Sequence, residues 1–349
     1  MSLLDKIKKN STIDQSSVLS KSKFFSEKDM IQTYVPMMNV ALSGSLEGGL
    51  TPGVTMFAGP SKHFKTAFSL LLAKSYLEKY EDAVLLFYDS EFGTPISYFD
   101  TFEIDKERVL HTPLTDIEQL KFDLMSQLTN LERGEKLIII IDSIGNLASK
   151  KEVEDALDQK AVADMTRAKQ VKSLFRMITP HLTLKDIPLV VVNHTYKEIG
   201  MFPKDIVGGG TGSYYSADNI FIIGRQQEKE GTEIVGYNFI INVEKSRYVK
   251  EKSKIPVTVS FEGGINKFSG LLEVAIEGGF VVKPSNGWYS KVDLETGEVL
   301  KEKVRIADTQ NAKFWTSILE SDKFKQYIKQ RYEVAYGSIL ETEEETEEA

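Results

Sequence analysis

The stretch GPSKHFKT, residues 59–66, nearly matches the pattern of a phosphate-binding loop. That pattern is G-x-x-x-x-G-K-[ST], and here Phe64 occupies the place of the second glycine. In such a loop, backbone N–H groups and the N-terminus of the next helix form a positive cradle for phosphates. We expect the backbone at Phe64 to lie close to the right-handed helical region, which requires no glycine. The alternative is a glycine-proline turn that caps an ordinary helix.

Within this loop, each residue type has a definite task. Lys65 would reach the terminal phosphates of ATP, and the Thr66 hydroxyl would hold Mg²⁺. The remaining residues would surround the phosphates with backbone groups. The candidate nucleotide-binding residues of the loop are Gly59, Pro60, Ser61, Lys62, His63, Phe64, Lys65 and Thr66.

Three later apolar runs also end in polar residues that suit this chemistry. AVLLFYDSE ends in Glu91, whose carboxylate could polarise a water for attack on the γ-phosphate, although a strand-end acid can also simply cap a helix. KLIIIIDS leads to Asp142, which is typical of the strand that orients Mg²⁺ in phosphate-loop ATPases. IPLVVVNHT leads to Asn193 and His194, which could sense the γ-phosphate by hydrogen bonding.

Two further stretches are candidates for contact with DNA or with another subunit. KEIGMFPKDIVGGGTGSYYS, residues 197–216, is long and rich in glycine, which favours a functional loop with close backbone approach to a phosphodiester chain. A plain surface loop is the alternative. EKSRYVKEKSK, residues 244–254, is rich in lysine. It is either a solvated face or a source of cations for DNA or for a neighbour's nucleotide.

The elements that must position these residues alternate in type. The apolar runs VTMFAG, AVLLFYDSE, KLIIIIDS and IPLVVVNHT lack alternation, which predicts strands buried on both faces of a parallel sheet. Helical spacing occurs between them, over residues 66–80, 116–133 and 161–179. Alternating strands and helices predict an α/β fold with a mostly parallel central sheet, whose ligands bind beyond the carboxyl ends of the strands.

Beyond residue 212 the pattern changes. NIFIIGR, YNFIINVEKSR and IPVTVSF predict an antiparallel extension of the sheet. Residues 263–335 then predict a small α+β unit with a helix at SGLLEVAIEGG, a hairpin around KPSNGWYS and a final helix over 311–335. We therefore divide the chain into an N-terminal arm (1–30), an ATPase core (31–262), a small C-terminal domain (263–335) and an acidic tail (336–349).

Composition excludes several classes of protein. The 349 residues are 41% hydrophobic and 27% charged, and no apolar run is long enough to span a membrane. The chain contains no cysteine, so disulfides and thiol nucleophiles are excluded and a cytoplasmic location is favoured. The net charge of −8 argues only weakly against nucleic acid as a partner, because the glutamate-rich end contributes much of it.

The order of these motifs resembles the RecA-family recombinases, and among them the UvsX recombinases of tailed phages most closely. The resemblance covers roughly residues 20–335 and includes KFFSEKD, PMMN, LFYDSEFG, DMTRAK, NHTY, GGGTG, NVEKSR, VKEKSK and NGWY. Phe64 is itself similar to what those phage proteins carry. The resemblance implies an ATP-dependent strand-exchange protein, which forms helical filaments on single-stranded DNA and pairs that strand with homologous double-stranded DNA.

The resemblance also implies roles for individual residues. Glu91 corresponds to the water-activating glutamate, Asp142 to the acid that orients Mg²⁺, His194 to the γ-phosphate sensor and Tyr98 to the residue that stacks on adenine. A neighbouring subunit's ATP would be contacted by Lys250 and Lys252, with Lys245 and Arg247 as close rivals. The residues implied in DNA contact are Lys160, Arg167, Gly208, Gly209, Gly210, Thr211 and Gly212.

Partners and rival functions follow from the same resemblance. The arm would dock on the next subunit, the acidic tail would mimic DNA or tether a partner, and a phage recombination mediator and a single-stranded-DNA-binding protein would assist; no membrane is involved. A phage protein of this kind would act in the cytoplasm of its bacterial host. The main rival is a hexameric DNA helicase of the same core fold, which would form closed rings. A nucleotide-binding module without turnover and a small-molecule kinase are further alternatives.

Overall fold

The computed structural model describes residues 2–13, 15–22, 29–158, 166–198, 200 and 203–334. A nine-stranded sheet forms its centre, with a two-stranded and a three-stranded sheet at its periphery. The strands are β1 (Gly53–Ala58), β2 (Val84–Asp89), β3 (Val109–Pro113), β4 (Leu137–Asp142), β5 (Pro188–Asn193), β6 (Thr195–Lys197), β7 (Asp205–Val207), β8 (Asn219–Glu230), β9 (Glu233–Ser246), β10 (Lys254–Ser260), β11 (Gly264–Ile265), β12 (Val281–Ser285), β13 (Trp288–Lys291) and β14 (Val304–Arg305).

Helices flank this sheet, and others lie near the beginning and the end of the described residues. They are α1 (Leu3–Asn10), α2 (Pro36–Ser43), α3 (Lys65–Lys79), α4 (Ile96–Thr101), α5 (Ile117–Asn130), α6 (Lys150–Leu157), α7 (Thr166–Lys185), α8 (Gly210–Ser216), α9 (Leu271–Glu277), α10 (Ala312–Leu319) and α11 (Asp322–Tyr332). The predicted helices 66–80 and 116–133 correspond to α3 and α5. The third, predicted over 161–179, begins outside the described residues and extends to Lys185 in α7.

The parallel part of the sheet confirms the prediction from the four apolar runs. Strands β8, β1, β5, β4, β2 and β3 lie side by side in that order and are all parallel. Every residue of β1, β4 and β5 is buried, as is every residue of β2 except Val84. Continuous burial explains why these runs show no polar alternation. The edge strand β3 was not predicted, because its residues are mostly exposed and few are apolar.

Two hydrophobic cores cover the two faces of the sheet. On β4, Ile138 and Ile140 belong to one core, which includes the apolar side chains of α3. Ile139 and Ile141 belong to the other, which includes those of α5 and α7. Successive side chains of a strand point to opposite faces, so a single apolar run supplies both cores. The carboxyl ends of the parallel strands are thereby fixed at one edge of a three-layer structure.

The antiparallel extension is also confirmed. β8 pairs with β9, β9 with β10 and β10 with β11, all antiparallel. The small C-terminal sheet, in the order β12, β13, β14, contains the expected hairpin. The prediction of one final helix was wrong, because Glu320 and Ser321 separate α10 from α11. The prediction of a continuous loop over 197–216 was also wrong, since its described part contains β6, β7 and the helix α8.

At the N-terminus, α1 forms a short helix with no buried residue. Its side chains Leu3, Leu4 and Ile7 are exposed, and Ile7 lies on the same side as the other two because it follows them by four and three residues. Within the described ranges, no helix combines the length and apolar character needed to cross a membrane. Phe24, Phe25 and the acidic tail lie outside the described residues, and the boundaries assigned to the arm, core, C-terminal domain and tail remain predictions.

Candidate nucleotide and nucleic-acid site

The phosphate loop connects β1 to α3 at the carboxyl edge of the sheet. Gly59 has a φ of 154°, and a Cβ there would lie 3.0 Å from the carbonyl oxygen of Ile223, so the first glycine is required. The Lys65 ammonium donates to the carbonyl oxygen of Pro60 at 2.8 Å. Lys65 is only 6% exposed, and this burial lowers its pKa. Its charge therefore lies inside the loop, where a polyphosphate would neutralise it.

The expected conformation of Phe64 was wrong. Its φ of 61° and ψ of 16° lie in the left-handed region, where the motif's glycine carries no Cβ penalty. Its ring stacks on Phe239 with centroids 4.9 Å apart and meets the edge of Phe68 at 5.4 Å. Aromatic pairs of this kind contribute about 0.5–1.5 kcal/mol each, which offsets the cost of about 1–2 kcal/mol for the left-handed backbone. Phe64 thus fits the slot through contacts made by its side chain.

Thr66 and Asp142 lie together where a magnesium ion would be held. The Thr66 hydroxyl donates to Asp142 Oδ2 at 2.6 Å. Asp142 is 2% exposed, and its Oδ1 has no hydrogen-bond partner among the described residues. Burial raises the pKa of Asp142 to about 6. A buried carboxylate with an unpartnered oxygen beside a threonine hydroxyl fits the oxygen ligands and ordered waters that Mg²⁺ prefers.

Glu91 and His194 face each other from the ends of β2 and β5, which lie on either side of β4. The Nε2 atom of His194 lies 2.8 Å from Glu91 Oε1 and 3.4 Å from the hydroxyl of Ser143. The hydrogen bond with His194 lowers the pKa of Glu91 to about 2. Glu91 is therefore a carboxylate at neutral pH, the form that can accept a proton from water.

A cavity of about 410 Å³ contains the phosphate loop, Glu91 and His194. Tyr98, predicted to stack on adenine, lines the same cavity and is 42% exposed. Phe261, at the end of β10, lines it as well and is 62% exposed. Sequence reasoning missed Phe261, whose only signal was an aromatic residue at a strand end. The cavity thus joins a phosphate cradle to exposed aromatic rings that could hold a base.

The strand end at Asn193 is tied to the glycine-rich segment. Asn193 is fully buried, and its Nδ2 donates to the Gly208 carbonyl at 2.8 Å while its Oδ1 accepts from the His194 N–H. The Gly208 N–H in turn donates to the His194 carbonyl at 2.9 Å. The backbone at His194 is therefore joined to Gly208 by a direct hydrogen bond and by a second path through the Asn193 side chain.

The residues that follow form the start of α8. Gly209 and Gly210 both have positive φ, and a Cβ at Gly212 would lie 2.6 Å from Cβ of Lys172 in α7. Gly212 therefore permits close packing of α8 on α7, while Gly209 and Gly210 form the turn. The side chain of Thr211 is outside the described part of the structure. The contact of these glycines with DNA remains a prediction.

Arg167, the other described candidate for DNA contact, lies inside the protein's own loop network. Its guanidinium donates to the carbonyls of Leu147, Ile144 and Gly145 at 2.6–2.9 Å. These carbonyls belong to the segment that follows Asp142, so Arg167 supports the backbone beside Asp142. Its DNA contact remains a prediction, and Lys160 lies outside the described residues.

The four cations proposed to reach a neighbour's ATP differ in their surroundings. Lys245 donates to the carbonyls of Tyr214, Tyr215 and Ala217 at the end of α8, at 2.7–3.1 Å. Arg247 is exposed and pairs with Asp218 at 2.5 Å. Lys250 donates to the Gln330 carbonyl at 2.6 Å, and Lys252 is exposed with a positive φ. The choice between the two pairs remains open.

Two small residues after Asp142 were also missed by sequence reasoning. The Ser143 N–H donates to the hydroxyl of Ser90 at 3.1 Å, and that hydroxyl donates to the Ser143 carbonyl at 2.6 Å. A Cβ at Gly145 would lie 2.5 Å from the His194 ring, so only glycine leaves room for that imidazole. Neither residue has a signal in the sequence, because both partners come from other strands.

Comparisons with known proteins agree with this geometry. The family model described as the RecA N-terminal domain matches residues 3–266. The model described as the C-terminal domain of the bacteriophage T4 recombination and repair protein matches residues 268–328.

Similar individual proteins include a phage protein and bacterial ones. The chain is 52% identical over 336 residues to the "Recombination and repair protein" of Enterobacteria phage T4, which covers 95% of this chain and 86% of that protein. It is 24% identical to "Protein RecA" of Paenarthrobacter aurescens over 282 residues, 78% of each chain. It is also 24% identical to "Protein RecA" of Symbiobacterium thermophilum over 323 residues, 90% of this chain and 88% of that one.

Proposed function

The chain belongs to the RecA family, and we propose that it is an ATP-dependent recombinase that exchanges DNA strands. It would assemble as a helical filament on single-stranded DNA and pair that strand with homologous duplex DNA in recombination, repair and recombination-dependent replication. The observation that carries the ATPase activity is the meeting of two pairs, Thr66–Asp142 and Glu91–His194, at the carboxyl ends of neighbouring parallel strands.

The residues of the cavity would have separate roles in ATP hydrolysis. Lys65 and the loop N–H groups would bind the β- and γ-phosphates, and Tyr98 would stack on adenine. Thr66 and Asp142 would hold Mg²⁺, which supplies charge neutralisation for the phosphates. Glu91 would orient a water and accept its proton as the water attacks the γ-phosphorus, with ADP leaving on the opposite side.

A route from nucleotide to DNA is supported by the hydrogen bonds of Asn193. His194 would respond to the γ-phosphate. Its carbonyl accepts from the Gly208 N–H, and its own N–H donates to Asn193 Oδ1, while Asn193 Nδ2 donates to the Gly208 carbonyl. The segment 208–212 would then change its contact with the DNA backbone as the nucleotide changes. Contacts to phosphates with little readout of bases suit a protein that must accept any sequence.

The remaining partners belong to the same proposal. A cation from the adjacent subunit, from either Lys245 and Arg247 or Lys250 and Lys252, would contact the ATP, and the arm at residues 1–30 would dock on that subunit. A mediator protein and a single-stranded-DNA-binding protein would assist loading, in the cytoplasm of the host bacterium.

Two measurements test the proposal on the full chain. The rate of phosphate release from Mg-ATP is expected to rise when single-stranded DNA is added, and Lys65→Ala is expected to abolish it. The surface variant Lys229→Ala serves as a control that should match the wild type. In a D-loop assay, joint molecules should form with homologous duplex and not with unrelated duplex. Absence of joint molecules, or closed rings instead of filaments in electron micrographs, would contradict the recombinase assignment and favour the helicase.

A further inference from the structure

A cation on the antiparallel part of the sheet contacts the phosphate loop. Arg225 lies on β8, beyond the last residue that pairs with β1. Its Nη1 donates to the Lys62 carbonyl at 3.1 Å. Its guanidinium rests on the ring of Tyr237 from β9, with the central carbon 4.8 Å from the ring centroid. Both residues line the cavity that contains the phosphate loop.

The contact falls on a part of the loop whose backbone is unusual. Lys62 and Phe64 both have a φ of 61°, a conformation that residues with a Cβ seldom adopt. Phe64 is held in it by the rings of Phe68 and Phe239. The exposed Lys62 side chain has no comparable packing. The hydrogen bond from Arg225 therefore holds the turn at Lys62 from outside the loop, beside the contact of 2.9 Å between His63 Nδ1 and the Ser61 carbonyl oxygen within it.

The support itself is rigid. A guanidinium stacked on an aromatic ring loses little further freedom when it donates a hydrogen bond, because its donors already lie in one plane. Tyr237 is in turn packed against Phe239 and Phe261, with centroids 6.0 and 5.6 Å apart. Contacts thus continue from Arg225 to Tyr237, Phe239 and Phe64. They connect β8 and β9 to both left-handed residues of the loop, Lys62 and Phe64.

We propose that Arg225 is a positioning residue for the nucleoside triphosphate, which holds the Lys62 turn so that the loop presents its N–H groups to the phosphates before they arrive. The inference rests on the proposed ATP-binding function and deepens it. The guanidinium stacks on the Tyr237 ring and donates to the Lys62 carbonyl. The role assigned to Arg225 is the support of the loop, which uses a planar group that makes both contacts at once.

The test compares Arg225→Ala and Arg225→Lys with the control Lys229→Ala, which removes an exposed cation from the same strand. For both Arg225 variants, the KM for ATP is expected to rise about tenfold, the loss that one charge-assisted hydrogen bond would cause. The value of kcat is expected to stay within about twofold, because the loop binds phosphates equally in the ground and transition states. Tyr237→Leu, which removes the ring beneath the guanidinium, should reproduce part of the loss.

The outcomes separate this inference from the proposed function. Recovery of the wild-type KM by Arg225→Lys would overturn it, since a planar guanidinium stacked on Tyr237 would then not be needed. A KM unchanged in Arg225→Ala would overturn it as well, while leaving the ATPase proposal intact. Failure of the wild-type chain to bind ATP, measured with a fluorescent ATP analogue, would overturn both. An increase of KM that persists at high salt supports positioning over charge attraction.

Discussion

The left-handed conformation of Phe64 predicts that, at this position, a glycine variant is more stable than an alanine variant, the reverse of the usual order in a helix. Phe64→Ala removes the ring contacts with Phe239 and Phe68 but retains a Cβ at a φ of 61°. Phe64→Gly removes the same contacts and the Cβ. Losing the partly buried ring should cost about 3 kcal/mol in both variants. The alanine variant keeps a backbone cost of about 1–2 kcal/mol that the glycine variant loses.

The greater freedom of glycine in the unfolded chain offsets part of that gain, by about 0.5–1 kcal/mol. We therefore expect Phe64→Gly to be more stable than Phe64→Ala by about 0.5–1 kcal/mol. Three residues later, Ala67 lies in the helix α3, where Ala67→Gly should destabilise the protein by about 1 kcal/mol. The same exchange of alanine and glycine thus has opposite signs at two positions one helical turn apart.

Urea unfolding of the nucleotide-free chain measures both differences, through the midpoints of variants that share the same slope. Each difference is read between two variants at one site, so the lost ring contacts of Phe64 cancel. If Phe64→Ala proves as stable as Phe64→Gly or more so, the left-handed assignment and the account of the missing glycine are both refuted.

Three further predictions concern the site and its surroundings. Glu91→Gln should slow ATP hydrolysis about a hundredfold or more while filaments on DNA persist in electron micrographs; full turnover would remove Glu91 from its role. Burial raises the pKa of Asp142 to about 6 from 3.8, so between these pH values the folded chain keeps a proton that the unfolded chain releases. The free energy of unfolding of the protein should therefore fall as pH rises from about 4 to about 6. Asp142→Asn should remove that part of the fall in urea midpoints, and an equal fall in the variant would contradict it. Lys245→Ala should cost about 2 kcal/mol because three carbonyls lose their donor. Arg247→Ala should cost at most about 1 kcal/mol, because the guanidinium is exposed and Asp218 keeps the Val54 N–H as a donor; equal losses on denaturation would refute this difference.

The glycine-rich segment shows how local composition can mispredict the conformation of the backbone. The density of glycine at 208–212 predicted a loop, and the structure has the helix α8 from Gly210 onward. Glycine is scarce in helices by propensity, but close packing of α8 on α7 leaves no room for a side chain at Gly212. Tertiary packing therefore decided the conformation against the local preference.

What the sequence alone determined is the central sheet and the acids at its carboxyl edge. Strands buried on both faces must be apolar throughout, so β1, β2, β4 and β5 were visible as continuous runs, and the first polar residue after each run marks the ligand-binding edge. Glu91 and Asp142 could be expected at that edge for that reason. Only the tertiary structure decided the features that depend on partners far away in the chain. Phe64 adopts its conformation because its ring packs on Phe239, and Arg225 reaches the loop because β8 lies beside β1. Neither contact leaves a periodic pattern in the sequence, since packing between distant segments depends on the shapes of the side chains and not on their spacing.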